Sequence, residues 1–391
     1  MSVTKIKVLM IDSSIEKDGN DYALHLCKAL KKAGIDISLV VIEDYTNNGI
    51  TDYPLIPLAP SKAKNISKVK KIFKYYNYLL GIYKLIRQEK YDVIHFQFFR
   101  RRRIESLYFS MLKFLGIKLA HTVHDVTPLN ESKIDHLFNL LVYKSADILF
   151  VHSNTNKKTL AQLINIDEEK IKVVHHGDFD TYIPDRIISK SEARNFFDLS
   201  SEQNVILFFG AIKEYKGLDT LLDSLPFASI KINNLTLIIA GMAGDAETRG
   251  LVLQYKDMIS KLRKEIKVIF HDEFIPNAEV AKYFIASDVV VLPYRRITHS
   301  GIPHIAYSFG RPVIATNVGD FEEVIEEGKS GFVLSSNSHE NLSEKIIQAF
   351  SDRQKLEEMG KYARHLSETK YTLKNTAELM KPIYEKMITN K

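Results

Sequence analysis

The sequence predicts an α/β fold in which two doubly wound parallel sheets follow one another along the chain. Short apolar runs alternate with amphipathic segments, which is the pattern of repeated βα units. The alternation is interrupted between residues 178 and 203 and then starts again. A chain of 391 residues also exceeds the length of one ordinary domain. We therefore expect two domains of the same class.

In the first half, each predicted helix lies between two predicted strands. The strands are 6–11, 36–42, 93–96, 118–123, 148–152 and 173–174, and the helices are 21–33, 67–88, 104–115, 133–144 and 155–164. Gly34 and Gly116 follow two helices as C-caps, and Ser153 is placed to cap another. This order gives parallel strands joined by helices.

The second half repeats the same order of elements. Its predicted strands are 205–209, 235–240, 267–270, 289–292, 312–316 and 331–334, with helices between them. A last helix over 373–387 contains Pro382, which should kink it. We expect Rossmann-like domains at 1–182 and 204–372, a linker at 183–203 with a short helix from Ser191, and residues 373–391 packed back on the first domain. The carboxyl ends of both sheets would face a central cleft.

Composition indicates a soluble globular protein of a reducing compartment. Hydrophobic residues make up 45% and charged residues 26% of the chain. The single cysteine, Cys27, excludes an intrachain disulfide and lies in an apolar helical pattern. Lys5 and Lys7 interrupt any apolar core of a signal peptide, and no apolar run is long enough to span a bilayer. We expect a cytoplasmic location.

Residues 62–118 are strongly basic, and aromatic residues are interleaved with the charges. The basic residues are Lys62, Lys64, Lys68, Lys70, Lys71, Lys74, Lys84, Arg87, Lys90, Arg100–Arg103, Lys113 and Lys118. A basic, aromatic, amphipathic surface predicts attachment of residues 68–115 to an anionic membrane, at the inner face of the cell membrane. Nucleic-acid binding fits less well, because no nucleic-acid-binding motif is present. The alternative is a solvated basic face over an ordinary core.

The loop that follows the predicted strand 205–209 is suited to a diphosphate. Gly210 ends the strand, Lys213 and Lys216 follow, and Gly217 precedes a helical pattern. Glycine permits close approach of the backbone to a ligand, and a helix N-terminus offers N–H groups to an anion. The spacing is not that of a Walker loop. The alternative is an ordinary βα turn with two solvated lysines.

Other candidate residues also stand at the ends of predicted strands. They are Asp12–Ser13–Ser14, His95, His124 with Asp125, Gly241, and Ser300–Gly301 at the start of a helix. The first loop lacks the glycine fingerprint of dinucleotide-binding domains. A metal site is not expected, because His121 and His124 are three apart on a strand and point to opposite faces.

Together these motifs resemble the family 4 retaining glycosyltransferases of GT-B architecture over nearly the whole chain. The matching segments are Phe-Phe-Gly-Ala-Ile-Lys-Glu-Tyr-Lys-Gly-Leu-Asp at 208–219, Leu-Ile-Ile-Ala-Gly at 237–241, Ala-Ser-Asp-Val-Val-Val-Leu-Pro-Tyr at 286–294, the segment 300–319, and Gly-Lys-Ser-Gly-Phe-Val at 328–333. Each segment alone is weakly specific, and their order along the chain is specific.

The resemblance implies how a nucleotide-diphosphate sugar would be bound. Lys216 matches the lysine that holds the diphosphate, and Lys213 matches a basic residue three positions before it. Ser300 and Gly301 open the helix that faces the departing phosphate. The donor-binding set also includes Gly210, Gly241, His299 and Ile302. Because fixed cations and N–H groups stabilise the leaving diphosphate, no metal is required.

The resemblance also implies residues on the acceptor side. His124 matches a histidine near the transferred sugar, and the neighbouring Asp125 could orient it or contact the acceptor. In the family the loop after the first strand is glycine-rich and borders the acceptor, so the resemblance points to Ser13, Gly19, Asn20 and Asp21 as acceptor-binding residues, together with His95. The alternative for Asn20 or Asp21 is an N-cap.

One departure from the family is clear. Its paired glutamates fall here at Ile297 and Ile305, and the chain resembles a subset with Ser-Gly at this helix start. Thr298, His299 and His304 are the available polar substitutes. Glu323 matches a family glutamate in a segment altered to Gly-Asp-Phe-Glu-Glu, and a helix-capping role is expected for it.

The resemblance implies a retaining hexosyltransferase that acts on a lipid-linked or growing glycan acceptor in bacterial surface polysaccharide synthesis. A catalytically silent GT-B subunit that binds a partner or a glycan is the first alternative, because the glutamates are absent. A GT-B sugar-nucleotide epimerase is the second, although it needs more carboxylates for proton transfer.

Overall fold

The computed structural model divides the chain into two compact units. The first comprises Met1–His175 and Leu373–Lys391, and the second comprises His176–Thr372. The residues that the structure describes are 5–13, 22–45, 51–61, 67–99, 101–126, 132–177, 182–183, 188–244 and 246–389.

The first unit is built on a parallel sheet of seven strands. They are β1 (Lys7–Asp12), β2 (Asp36–Ile42), β3 (Leu55–Ala59), β4 (Val93–Phe98), β5 (Leu119–Thr122), β6 (Ile148–Val151) and β7 (Ile171–Val173). Their order in the sheet is β3-β2-β1-β4-β5-β6-β7. The helices are α1 (Tyr22–Lys32), α2 (Lys68–Glu89), α3 (Arg102–Phe114), α4 (Lys133–Ser145) and α5 (Asn154–Ile164).

The second unit contains a parallel sheet of six strands. They are β8 (Asn204–Phe209), β9 (Leu235–Ala240), β10 (Lys267–His271), β11 (Val289–Leu292), β12 (Val313–Thr316) and β13 (Gly331–Leu334), in the order β10-β9-β8-β11-β12-β13. Its helices are α6 (Lys190–Asn195), α7 (Leu218–Ala228), α8 (Ala246–Ser260), α9 (Asn277–Ala286), α10 (Ile302–Ser308), α11 (Phe321–Val324), α12 (His339–Phe350) and α13 (Arg353–Thr369).

The last helix returns to the first unit. Helix α14 (Leu373–Thr389) packs on α1 and runs without interruption through Pro382. Its Ala377, Met380 and Tyr384 are buried in the same apolar cluster as Cys27 of α1, which confirms that this cysteine belongs to the core. Among the helices within the described ranges, none combines the length and apolar composition that a bilayer crossing requires.

These observations confirm the predicted α/β class with two Rossmann-like units. The six strands of the second sheet have the order 3-2-1-4-5-6 when counted within the unit, which is the order of doubly wound nucleotide-binding domains. Near-continuous apolar runs such as β9 are expected in such sheets, because helices cover both faces.

An aspartate placed just before a strand is used three times to join neighbouring strands. Asp92, Asp147 and Asp288 precede β4, β6 and β11. A carboxylate oxygen of each accepts a backbone N–H at the start of the adjacent strand, β1, β5 or β8, at 2.8 Å. Asp288 also forms a buried ion pair with Arg194 of α6, so α6 belongs structurally to the second unit.

Strand β3 was not among the predicted strands. Pro57 interrupts its short apolar run, and proline lacks the N–H that a central strand would need. The strand lies at the edge of the sheet and pairs only with β2. An edge position tolerates proline because one side of the strand carries no ladder.

Candidate functional site

The predicted diphosphate loop lies at the switch point of the second sheet. Strands β8 and β11 are neighbours there, and the connections that leave them run in opposite directions along the sheet. Gly210 follows β8, and Pro293 and Tyr294 follow β11. Ligands of open α/β sheets bind at the carboxyl ends of the strands at this point.

The structure brings three predicted donor-binding residues into contact. Gly210 has a φ of +111°, which disfavours any residue with a side chain. A Cβ at this position would lie 2.8 Å from Nζ of Lys216 and 3.8 Å from Cδ1 of Ile302. The Lys216 side chain therefore folds back over the end of β8 and approaches the start of α10.

Lys216 is a buried cation without a carboxylate partner among the described residues. Its side chain is 9% exposed, and its Nζ lies 5.3 Å from the centre of the Tyr294 ring. Burial lowers the pKa of the Lys216 ammonium below its ordinary value. The Tyr294 hydroxyl is also buried, and the nearby Ser300 hydroxyl is the group that interacts with it. Such a pair suits an anionic, oxygen-rich ligand.

Two further glycines allow the surrounding loops to pack backbone against backbone. A Cβ at Gly241, where φ is +154°, would lie 2.0 Å from the carbonyl oxygen of Gly210. A Cβ at Gly217, where φ is +66°, would lie 2.0 Å from the carbonyl oxygen of Pro293. These contacts fix the loops after β8, β9 and β11 against each other, and only glycine fits at either position.

Arg295 ties the loop after β11 to the diphosphate loop. Its backbone N–H donates to the Tyr215 carbonyl at 2.7 Å, and its Nη1 donates to the Glu214 carbonyl at 2.7 Å. Its guanidinium also pairs with Asp219 in the first turn of α7. Sequence reasoning missed this arginine, although its position directly after Tyr294 was a signal. Lys213 is partly buried at the start of the turn, and its diphosphate contact stays a prediction.

The start of α10 offers fewer N–H donors than expected. Gly301 is the N-cap and supplies no side-chain bond. The Ile302 N–H donates to the Ser300 hydroxyl at 3.3 Å, and Pro303 has no N–H. The role of this helix start in phosphate binding stays a prediction.

A buried histidine–aspartate pair stands beside this helix start. Nδ1 of His299 donates to Oδ2 of Asp320 at 2.5 Å, and both side chains are almost inaccessible. The His299 ring stacks on His176 of the same unit at 5.0 Å. Asp320 was missed in the sequence, although an aspartate in the glycine-rich segment before α11 was the available signal.

The positions of the family's paired glutamates are apolar in structure as well as in sequence. Ile305 is buried in the main core of the second unit, and Ile297 packs against that core. Neither position offers a polar group to a ligand. The polar groups near this helix start come instead from His299, Ser300 and Asp320.

In the first unit, three side chains at the ends of adjacent strands form a hydrogen-bonded chain. Nε2 of His124 lies 3.0 Å from Oε1 of Gln97, and Nδ1 of His124 lies 3.2 Å from Nε2 of His152. Nδ1 of His152 donates to the Val174 carbonyl at 3.1 Å. Sequence reasoning missed Gln97 and His152, although the strand-end rule that selected His124 also applies to them.

Both ring nitrogens of His124 therefore have protein partners. The Phe98 ring stacks on the imidazole at 4.1 Å, and Tyr22 contacts its edge at 5.7 Å. Asp125 is exposed beside it, and both residues line a small pocket of about 90 Å³.

His95 occupies a different position from the one predicted. It is fully buried, and its ring nitrogens lie 2.6 Å from the Tyr384 hydroxyl and 2.8 Å from the Thr122 hydroxyl. The ring also stacks on Phe150. These contacts contradict the expectation that His95 binds the acceptor, because a core residue of the first sheet cannot reach it.

The predicted acceptor loop is described only at its start. Ser13 is buried, and its hydroxyl donates to Glu105 at 3.4 Å. Gly19, Asn20 and Asp21, like Ser14, lie outside the described residues. The acceptor role of this loop stays a prediction.

Comparison with protein families matches both units. Residues 19–177 match the model described as Glycosyltransferase Family 4, and residues 189–366 match that of Glycosyl transferases group 1. The first unit therefore matches the family 4 glycosyltransferases and the second unit matches the group 1 glycosyltransferases. Together with the two Rossmann-like units, these matches identify a glycosyltransferase of GT-B fold.

Known proteins agree with this assignment over almost the full length. The chain is 24% identical to the D-inositol 3-phosphate glycosyltransferase of Corynebacterium glutamicum over 95% of its own length and 92% of the relative's. Sucrose-phosphate synthase from Thermosynechococcus elongatus superposes with a TM-score of 0.77 at 16% identity, over 99% of this chain and 100% of that one. The structure of the Anabaena protein HepE in complex with UDP-glucose superposes with a TM-score of 0.72 at 16% identity, over 97% of this chain and 100% of that chain.

The buried histidines predict a pH-dependent stability of the first unit. Burial lowers the pKa of His95 to about 3 and that of His121 to about 4, from an ordinary value of 6.5. Between pH 6.5 and these native pKa values, the unfolded chain binds protons that the native state does not bind. Stability is therefore complete above pH 6.5 and falls as the pH drops towards the native values.

Replacing one histidine should flatten this dependence. His95→Gln keeps a polar side chain for Tyr384 and Thr122, and it should lower the slope by about 1.4 kcal/mol per pH unit. Urea unfolding at a series of pH values, monitored through hydrogen exchange in β4, measures how the free energy of unfolding changes with pH. His365→Gln, at an exposed position, is the control and should leave the slope unchanged. An unchanged slope in His95→Gln would contradict the lowered pKa of His95 in the native state.

Proposed function

We propose that this enzyme moves a hexose from a nucleotide-diphosphate sugar to a lipid-linked or growing glycan at an anionic membrane surface, with retention of anomeric configuration. The observation that carries the proposal is the buried Lys216 ammonium, which has no carboxylate partner among the residues that the structure describes and lies against Gly210 at the switch point of the second sheet. A diphosphate supplies the missing negative charge at that position.

The donor chemistry follows from this charge. When the bond between the sugar C1 and the phosphate oxygen breaks, negative charge grows on the nucleotide diphosphate. Lys216 and Lys213 stabilise it, and the fixed loops place the Lys216 cation before the reaction begins. In the proposal these residues replace a divalent metal. HepE has been solved with UDP-glucose, which supports a nucleotide sugar as donor.

Retention is proposed because neither of the two family glutamate positions carries a carboxylate that could act as the nucleophile of a double displacement. Ile297 and Ile305 occupy the glutamate positions, and Asp320 is buried and bonded to His299. The acceptor oxygen then bonds to C1 on the face from which the diphosphate leaves. The acceptor proton passes to the departing phosphate oxygen, so charge and atoms balance.

His124 is proposed to hold the sugar rather than to act as the base. A sugar hydroxyl takes the place of Gln97 at Nε2, and His152 keeps the ring oriented through Nδ1. Phe98 fixes the plane of the imidazole. A residue held on three sides is preorganised for an interaction that strengthens in the transition state.

An exposed apolar stripe on the first unit supports attachment to a membrane. Val69, Ile72, Phe73 and Tyr76 are 76%, 66%, 63% and 60% exposed, and their spacing places them on one face of α2. Buried residues of α2, such as Tyr78, lie on another face. The stripe is therefore not the core-facing side of the helix.

Helix α3 carries a second exposed stripe with the same character. Leu107, Met111 and Phe114 are exposed along it, and Phe114 is 91% exposed. Lysines and arginines flank both stripes, namely Lys68, Lys70, Lys71, Lys74 and Arg101–Arg103. Apolar side chains edged by cations fit the interface of an anionic bilayer. A lipid-linked acceptor of surface polysaccharide synthesis would be presented at such a surface.

The first prediction concerns the diphosphate site. Lys216→Ala should lower turnover by roughly 10²–10³, because a preorganised charge at the leaving group is lost. Transfer from a panel of nucleotide sugars measures it, and exposed Lys261→Ala is the control. EDTA should leave wild-type turnover unchanged. Near-normal turnover of a folded Lys216→Ala would reject the site, and a wild type inactive with every donor would favour the silent-subunit alternative.

The second prediction concerns His124 and the stereochemistry. His124→Ala should lower turnover strongly and leave nucleotide affinity nearly unchanged, because the lost bond is made mainly in the transition state. Gln97→Ala should have a smaller effect, since its amide leaves the ring during catalysis. NMR of the anomeric centre reports the linkage, and inversion from an α-linked donor would overturn the mechanism.

The third prediction concerns the membrane surface. The double variant Ile72→Ser/Phe73→Ser should bind anionic vesicles at least ~10-fold more weakly, because two large side chains no longer enter the interface. Sedimentation with anionic and neutral vesicles, at low and high salt, measures binding. Leu253→Ser, an exposed leucine of the second unit, is the matched control. Equal binding to neutral and anionic vesicles, or none at low salt, would exclude this attachment.

A further inference from the structure

A second pocket of the second unit lies at the opposite edge of the sheet from the donor loop. Asn204, Asp288 and Arg311–Pro312 line it at the amino ends of β8, β11 and β12, and its volume is about 600 Å³. Helix α13 forms one wall, and the first residue of α6 forms another. Volumes of this size are typical of small-molecule sites.

Close packing at two glycines brings α13 over this edge. Gly310 has a φ of +63° and follows α10, and its carbonyl oxygen would lie 2.6 Å from a Cβ at Gly360. The face of α13 that borders the pocket bears Arg353, Lys361 and Arg364. A residue larger than glycine at 360 would push this basic face away.

Arg311 is the exceptional group in the pocket. Its Nε is shielded from solvent and has no hydrogen-bond partner among the described residues, although the residue as a whole is partly exposed. Burial lowers the pKa of this guanidinium below its ordinary value, and the charge of Asp288 acts in the opposite direction. A shielded guanidinium N–H without a partner is costly to the folded protein.

The nearby carboxylate is already neutralised by other groups. Asp288 binds both Nη2 of Arg194, at 2.9 and 3.0 Å, and Nζ of Lys190, at 2.6 Å. Two cations, Lys190 and Arg194, therefore share the one negative charge of Asp288, and little of that charge is left to offset Arg311. At the rim, Glu368 is engaged with Arg364 at 2.6 Å. The deep part of the pocket keeps an excess of positive charge.

We propose that this pocket binds a small molecule with one phosphate group on a hydroxylated body, separately from the donor site. The phosphate would bond to the Arg311 guanidinium and to Lys190, because planar guanidinium groups match phosphate oxygens. Glu357 and Glu368 at the rim would accept hydroxyl groups and repel a second phosphate. The occupant is thus a sugar phosphate rather than a nucleotide diphosphate.

The site has a direct structural link to the donor loop. Helix α10 begins next to Ser300 and Gly301, and the chain leaves it at Gly310 and Arg311. The same seven-residue helix therefore connects the donor site to the new pocket.

Calorimetric titration with glucose 6-phosphate, inorganic phosphate and glucose tests the proposal on the full chain. Wild type and Lys216→Ala should both bind the two phosphates and not glucose. Arg311→Gln should bind them ~10-fold more weakly or worse, and Arg311→Lys should fall between, because it keeps the charge without the planar fork. Retention of binding in Lys216→Ala separates this pocket from the donor site.

Thermal unfolding supplies an independent measurement. Without phosphate, Arg311→Gln should unfold at the same or a higher temperature than wild type, because a shielded N–H donor without a partner has been removed. Glucose 6-phosphate should raise the transition temperature of wild type and not that of Arg311→Gln. Absence of binding by wild type, binding abolished only in Lys216→Ala, or full binding by Arg311→Gln would each overturn the proposal.

Discussion

The carboxyl edge of the second sheet is organised around one buried ammonium group. Lys216 gives up most of its hydration to lie against Gly210, with the Tyr294 ring beside it and no described carboxylate within reach. A lysine that served only stability would be paired or solvated. The glycines at 217 and 241 make the same arrangement possible, because the loops could not close around the lysine if either carried a side chain.

Much of this arrangement could be predicted from the sequence because glycine and lysine are informative at strand ends. The βα pattern predicts where β8 and β9 stop, and the parallel sheet then brings Gly210 and Gly241 to one edge. The pattern could not predict how far the Lys216 side chain is buried. Burial depends on the path of the side chain after a 3-10 turn, and a solvated lysine would have the same local sequence.

The first unit shows a different limit of sequence reasoning. The sequence places His95, His124 and His152 alike near the ends of apolar runs, yet only His124 and His152 follow the ends of their strands and lie together, whereas His95 lies inside β4. His95 points to the side covered by α14, a helix almost 280 residues later in the chain, and bonds to Tyr384. Which face of a strand is covered by a distant helix is a property of the fold, so local spacing could not distinguish a core histidine from a site histidine.

Three cations of the second unit differ in how the protein compensates their charge. Arg194 has a bidentate contact with Asp288 and donates to backbone carbonyls, so its burial is compensated within the protein. Lys216 has no such partner among the described residues. Arg311 is partly buried, and the carboxylate that acts on its charge, Asp288, is already bonded to Arg194 and Lys190. The chain can form compensated pairs in the same unit, as Arg194 shows. Leaving two cations uncompensated at opposite edges of one sheet therefore favours anions that arrive from solution at both places.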